Sequence, residues 1–137
     1  MEFKKKGALF VPSKPFNLQT VGRISSTVMY TKNNKKYLDL TLDQDALSKV
    51  KEVHKDASQH FKSSSKLIDP LVGGSLTFKV PWKYDRVMCN VTGSKTIQEL
   101  VIGNAVSVTL EFCGVWNVNN FCGPSWKLIN LMYQPSV

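Results

Sequence analysis

"GNAVSVTLEFCGVWNVNNFCGPSWKLINLMY", residues 103–133, decides how the rest of the chain is read. Val106, Val108, Leu110 and Phe112 alternate with Ser107, Thr109 and Glu111. A period of two sends the apolar set to one face of a strand, so Glu111 is expected to point outward. A second apolar run follows, through Trp126, Leu128 and Leu131. The reading is two long strands joined by the loop-like residues Asn117 to Cys122, with Gly114 marking a bulge or a bend.

The same stretch holds two of the three cysteines, Cys113 and Cys122, nine positions apart and without a CxxC pair. Zinc sites present ligands in tight pairs, and His54 and His60 lie far away in sequence, so neither a metal nor another cofactor is expected. The thiols read as small hydrophobes, with a bridge between Cys113 and Cys122 across the hairpin left open. Phe78 and Phe112 alternate with aliphatics and read as core, and Trp126 leans the same way.

Working outward, 137 residues suit one domain. Residues 1–17 are expected as a basic, flexible arm in which Pro12 and Pro15 exclude a helix. Residues 18–133 form the expected domain and 134–137 a short tail. "TVGRISSTVMYT" (20–31) and "KYLDLTL" (36–42) flank Asn33–Asn34, the signature of a hairpin. From Asp43 the period changes: Ala46, Leu47, Val50, Val53, Ala57 and Phe61 line one face of a helix that Asp43 or Asp45 caps. His54 and His60 read as helix-boundary or surface residues. Strand periodicity returns at "GGSLTFKVPW" (73–82) and "RVMCNVTG" (86–93), and a helical turn closed by Gly103 precedes the final hairpin. The fold class expected is mainly β with one main helix, a small closed barrel of five or six strands, since closure removes exposed edges.

The charge is uneven. Residues 1–36 carry eight basic residues and one acidic residue, nearly all of the net +8. Clustered positive charge is the footprint of a polyanion, because each neutralised phosphate releases a counterion. Catalytic signatures are missing: no GxSxG, HExxH, phosphate-binding P-loop or GxGxxG occurs, and the one close acidic pair is explained by helix capping. No enzyme is expected. No apolar run reaches the ~20 residues of a membrane span, and no signal peptide is read, so the expectation is an intracellular protein of cytoplasm or nucleus.

What the sequence does offer is aromatic residues among cations and amides. Tyr30 precedes Lys32, and Tyr37 follows Lys35 and Lys36. Trp82 and Tyr84 sit among Lys79, Lys83 and Arg86. Trp116 stands at the rim of the Asn-rich loop, Asn119 and Phe121 lie within it, and Lys127 follows it. Flat rings on which bases stack, with cations that follow the backbone, are what a single strand needs. Tyr37, Trp82 and Trp116 are the candidate platforms, and the lysines with Arg23 the candidate phosphate contacts.

The closing pattern, a Gly-led apolar strand, a Trp- and Asn-bearing loop and then Gly-x-Ser-Trp-Lys-Leu, resembles the last hairpin of the OB-fold single-stranded-DNA-binding proteins of bacteriophages and large DNA viruses. The resemblance implies a five-stranded barrel whose second and third strands, with loops 31–36 and 117–125, hold the strand. The expected function is binding of single-stranded DNA with little sequence preference, in replication or recombination, in a host cell if the protein is viral. An RNA-binding module of the same fold is one alternative. A protein-interaction or virion structural domain with a basic arm is another. A homo-oligomer fits any of these.

Overall fold

The computed structural model describes residues 1–26 and 29–133; Thr27, Val28 and the expected tail 134–137 lie outside the described residues. In chain order the strands are β1 (Phe3–Lys6), β2 (Leu9–Pro12), β3 (Asn17–Ile24), β4 (Tyr30–Lys32) and β5 (Lys35–Leu42). Helix α1 (Gln44–Ala57) follows, then β6 (Lys66–Leu67), β7 (Leu71–Val72), β8 (Ser75–Val80), β9 (Trp82–Lys83) and β10 (Arg86–Val87). The chain continues through β11 (Asn90–Thr92), β12 (Ala105–Val118) and β13 (Phe121–Tyr133).

Five of these strands make the wall. β3 pairs with β5, β5 with β8, β8 with β13, β13 with β12, and β12 returns to β3. Numbered by wall strands alone, the order is 1-2-3-5-4 and back to 1, an OB-type barrel. The closing pair, β8 with β13, is parallel and brings Lys127 opposite Lys79.

The alternation seen in the sequence fills the interior. Leu38, Leu40 and Leu42 of β5, Leu76, Phe78 and Val80 of β8, and Val106, Val108, Leu110 and Phe112 of β12 are buried together with Trp126, Leu128 and Leu131 of β13. Each side chain of this size contributes about 1.5–3 kcal/mol on leaving water. Helix α1 stands between the second and third wall strands. Asp43 caps it, its Oδ1 accepting from the Ala46 N–H at 2.8 Å, and Ala46, Val50, Val53 and Ala57 turn into the core. Trp126 is buried, and its indole N–H donates to His54 Nε2 at 2.9 Å. Burial pushes the His54 pKa down against the pull of Asp69, which keeps the ring neutral and able to accept. His54 is therefore a half-buried acceptor rather than a surface residue.

Three expectations are corrected. Residues Phe3–Lys6 and Leu9–Pro12 of the expected flexible arm form a β-hairpin, turned at Gly7 and paired to β12 through Phe10–Val115 and Leu9–Trp116. Phe3 and Phe10 place their rings 4.7 and 4.4 Å from that of His60, and the Met1 ammonium meets Asp56 at 3.2 Å. Phe3 in β1 and Phe10 in β2 gave this segment two rings to bury, which the lysines between them obscured. The Asn-rich loop, expected over six residues, is a two-residue turn, Asn119–Asn120, because Asn117–Cys122 and Val118–Phe121 remain paired. The bulge does fall before Gly114, and it leaves Cys113 outside the ladder while Cys122 sits opposite Asn117. The two thiols do not face each other, and both are free.

Candidate nucleic-acid interface

The outward positions of the wall strands make the face of interest. Opposed residues share a side of the sheet, so the register assigns it: Tyr37 of β5 lies opposite Lys79 of β8, and Lys79 opposite Lys127 of β13. Lys127 in turn lies opposite Glu111 of β12, and their charged groups are 3.5 Å apart. A ring and two ammonium groups thus occupy one row across three adjacent strands, spaced ~5 Å per strand.

Tyr37 is held from beside. Tyr30 of β4 lies opposite it, with ring centroids 5.9 Å apart and nearly parallel. The Tyr30 hydroxyl donates to Asp39 Oδ1 at 2.8 Å, and the Thr77 hydroxyl donates to the same oxygen at 2.7 Å. Burial first, and then the bond to Asp39, push the Tyr30 pKa up to about 12, so the phenol keeps the proton it donates. Asp39 and Thr77 were not singled out from sequence. Their signal was parity alone, since both share the polar positions of their strands with Tyr37 and Lys79.

Lys79 is half-buried. Burial is the main cause that pushes its pKa down, and the neighbouring charges of Lys35 and Lys127 add to it. Lys35 and Lys32 face each other across the Asn33–Asn34 turn, both of whose residues have positive φ (53° and 63°), the geometry of a tight hairpin. Lys36 is of opposite parity. Its ammonium donates to the Thr31 hydroxyl at 2.6 Å and lies 5.4 Å from the Trp82 ring centroid. Trp82 itself packs against the core at the barrel rim.

A second tight hairpin, β9–β10, turns at Tyr84 and Asp85, again with positive φ. Tyr84 is 77% exposed, with the Lys83 ammonium 5.4 Å from its ring centroid, and Arg86 is opposite Lys83. Trp116 is opposite Gly123, three residues along β13 from the inward Trp126, and is therefore on the outer side with Lys127. Phe121, 43% exposed, and Asn119 form the hairpin tip.

Not all of the candidate residues reach the row: Trp116, opposite Gly123, is about 13 Å from Lys127 along β13, Phe121 is about 20 Å away, and Lys36 with Trp82 is of the other parity. Arg23 of β3 is opposite Thr41, four residues along β5 from Tyr37, or about 13 Å at strand rise. Its guanidinium donates to the Gly103 carbonyl at 2.9 Å, at the other end of the wall.

Among the described residues, no helix is long and apolar enough to cross a membrane. No family model matches the chain, and no curated protein matches it in sequence. Its neighbours among solved structures are bacteriophage single-stranded DNA-binding proteins. The C-terminally truncated single-stranded DNA-binding protein from bacteriophage Enc34 superposes with a TM-score of 0.59 at 11% identity, covering 100% of this chain and 95% of that one. A second structure of the protein from the same bacteriophage gives 0.58 at 13% identity, over 99% and 91%. At these identities what the chains share is the fold, a mainly β, OB-type barrel over nearly the whole of each.

Proposed function

We propose that this protein binds single-stranded DNA with little sequence preference, in replication or recombination, and carries no catalytic activity of its own. The observation that carries the reading is the row Tyr37–Lys79–Lys127 on the outer side of adjacent wall strands. A base stacks on Tyr37, which Tyr30 backs, while the two ammonium groups take the neighbouring phosphates. Lys79 is short of counter-charge in the free protein, and a phosphate supplies it. The exposed Lys127–Glu111 pair is a weak competitor, since such pairs contribute about 0–1 kcal/mol.

Around the row, Lys32, Lys35, Lys83 and Arg86 extend the positive charge at the hairpin tips and Tyr84 offers a further ring, while Trp116 and Phe121 offer rings farther along the β12–β13 hairpin, beyond the reach of a short strand. Lys36 with Trp82 shapes the rim, and Asn119 supplies an amide at the far tip. Rings and cations read no base edge, hence the lack of sequence preference. Arg23 belongs to this proposal least, being tied to Gly103 at the far end. The fold shared with phage single-stranded DNA-binding proteins supports the reading, and the same fold serves RNA as well.

Anisotropy titrations with labelled oligo-dT, oligo-rU and a duplex test it. Oligo-dT is expected to bind tightest, with a slope of log affinity against log salt of roughly −3 to −4 for ~4–6 phosphates. Tyr37→Ala is expected to remove ~1–3 kcal/mol of that binding without changing the slope. Tighter binding of oligo-rU would transfer the site to RNA. Equal binding of duplex, or none at all at low salt, overturns the proposal.

A further inference from the structure

The lysines of the N-terminal hairpin do not belong to the row just described, yet the register carries two of them onto the same side of the sheet. Lys6 is opposite Leu9, Leu9 is opposite Trp116, and Trp116 is opposite Gly123. Directly opposed residues share a side, so Lys6 lies on the outer side with Trp116, two strand spacings or about 10 Å away. Lys4, two residues back on β1, shares it. Lys5 has the other parity: it is opposite Phe10, whose ring stacks on His60. Gly123 is four residues along β13 from Lys127, about 13 Å, which puts Trp116 between the Lys79–Lys127 row and the β1 lysines.

We propose that Lys4, Lys6 and Trp116 form a second subsite for single-stranded DNA, in which Trp116 takes a base and the two ammonium groups take the phosphates beyond it. The subsite rests on the function proposed above and extends it along the strand. It gives the N-terminal hairpin a role that its packing leaves room for. Phe3 and Phe10 anchor one side of the hairpin to His60, and Lys4 and Lys6 stay exposed on the other. A track that continues past the barrel wall engages a long strand at both subsites and a short one at the first only.

Two double variants of equal charge separate this from a diffuse basic surface. Lys4→Ala with Lys6→Ala is expected to lower the salt slope by about 1.4 on oligo-dT of roughly 20 nucleotides. On an oligomer of roughly 6 nucleotides, near the lower site size of one OB fold, it is expected to change little. Lys5→Ala with Lys14→Ala removes the same charge from exposed positions, Lys5 of the other parity and Lys14 in the bend beyond β2, and should lower the slope by less than half as much. Trp116→Ala should weaken the long oligomer alone and leave the slope in place. Equal losses from the two double variants overturn the subsite, because only bulk charge would then matter. So does a Lys4/Lys6 variant that binds both oligomers as the unaltered protein does; if Tyr37→Ala still weakens both, the function stands without the subsite. Failure of the unaltered protein to bind either oligomer overturns both.

Discussion

Strand β12 lives in two environments, and the contrast between them organises the molecule. From Ala105 to Glu111 it lies between β3 and β13, inside a closed ring, and its inward residues Val106, Val108 and Leu110 meet the core from every side. Beyond Gly114 its neighbours are β2 and β13, and the sheet projects past the barrel. There one side is covered by Phe10 and His60, and on the other Trp116 stands half-buried, with the Ile68 carbonyl against Gly123 opposite it. The switch is at the bulge. Gly114 has φ of 112°, and a Cβ there would run into the carbonyl oxygen of Phe10. Wall and projection share two strands and the core reaches into the projection at Val115, yet the wall is closed on itself while the projection depends on β2, β6 and a small ring cluster at its edges.

Leu110→Ala strikes the wall and carries the largest expected effect, about 2–5 kcal/mol of stability by urea unfolding, as for other buried large-to-small changes. Gly114→Ala strikes the junction. A side chain in left-handed backbone, pressed on the β2 carbonyl, should cost about 1–3 kcal/mol. Its loss should be local: hydrogen exchange of residues 3–12 speeds up while the amides of β5 and β8 keep their protection. A Gly114→Ala variant whose β5 and β8 amides also lose protection would show that wall and projection are one cooperative unit, and would dissolve the comparison.

The wall was largely legible in the sequence, because alternation has a local cause. Leu38, Leu40 and Leu42, or Leu76, Phe78 and Val80, have their parity written in four or five consecutive residues. The Asn33–Asn34 turn and the Asp43 cap were equally local. The projection was not legible, since Phe10 gains its place from Val115, a hundred residues away, and from His60. A lysine-rich segment with two prolines reads as a tail until a partner strand is known. The candidate site divides the same way. Tyr37 and Lys79 were placed on outward faces by parity, but that they stand opposite one another is a fact of register, and that Lys127 joins them depends on barrel closure. Arg23, with the same local signal as Lys79, ends at the wrong end of the wall for want of that register.

The smallest expected effect is also the most specific to the wall row. Burial, then Lys35 and Lys127, hold the Lys79 pKa below the ordinary lysine range, whereas a bound phosphate favours the charged ammonium. Binding then takes up a proton at alkaline pH, and oligo-dT affinity should fall several-fold on raising the pH towards the normal lysine value of about 10.4. Folding has the opposite sign. Where the unfolded chain holds the Lys79 proton more tightly than the folded one, stability rises with pH, so the loss of affinity cannot be put down to unfolding through this group. Lys79→Arg keeps the charge at every pH in the window, because a guanidinium does not give up its proton there. The variant should lose less affinity than the unaltered protein over that window, at a level set by how well the larger head fits between Tyr37 and Lys127. A profile as steep as that of the unaltered protein would assign the proton to another group, and would leave the phosphate path running along the projection rather than across the wall.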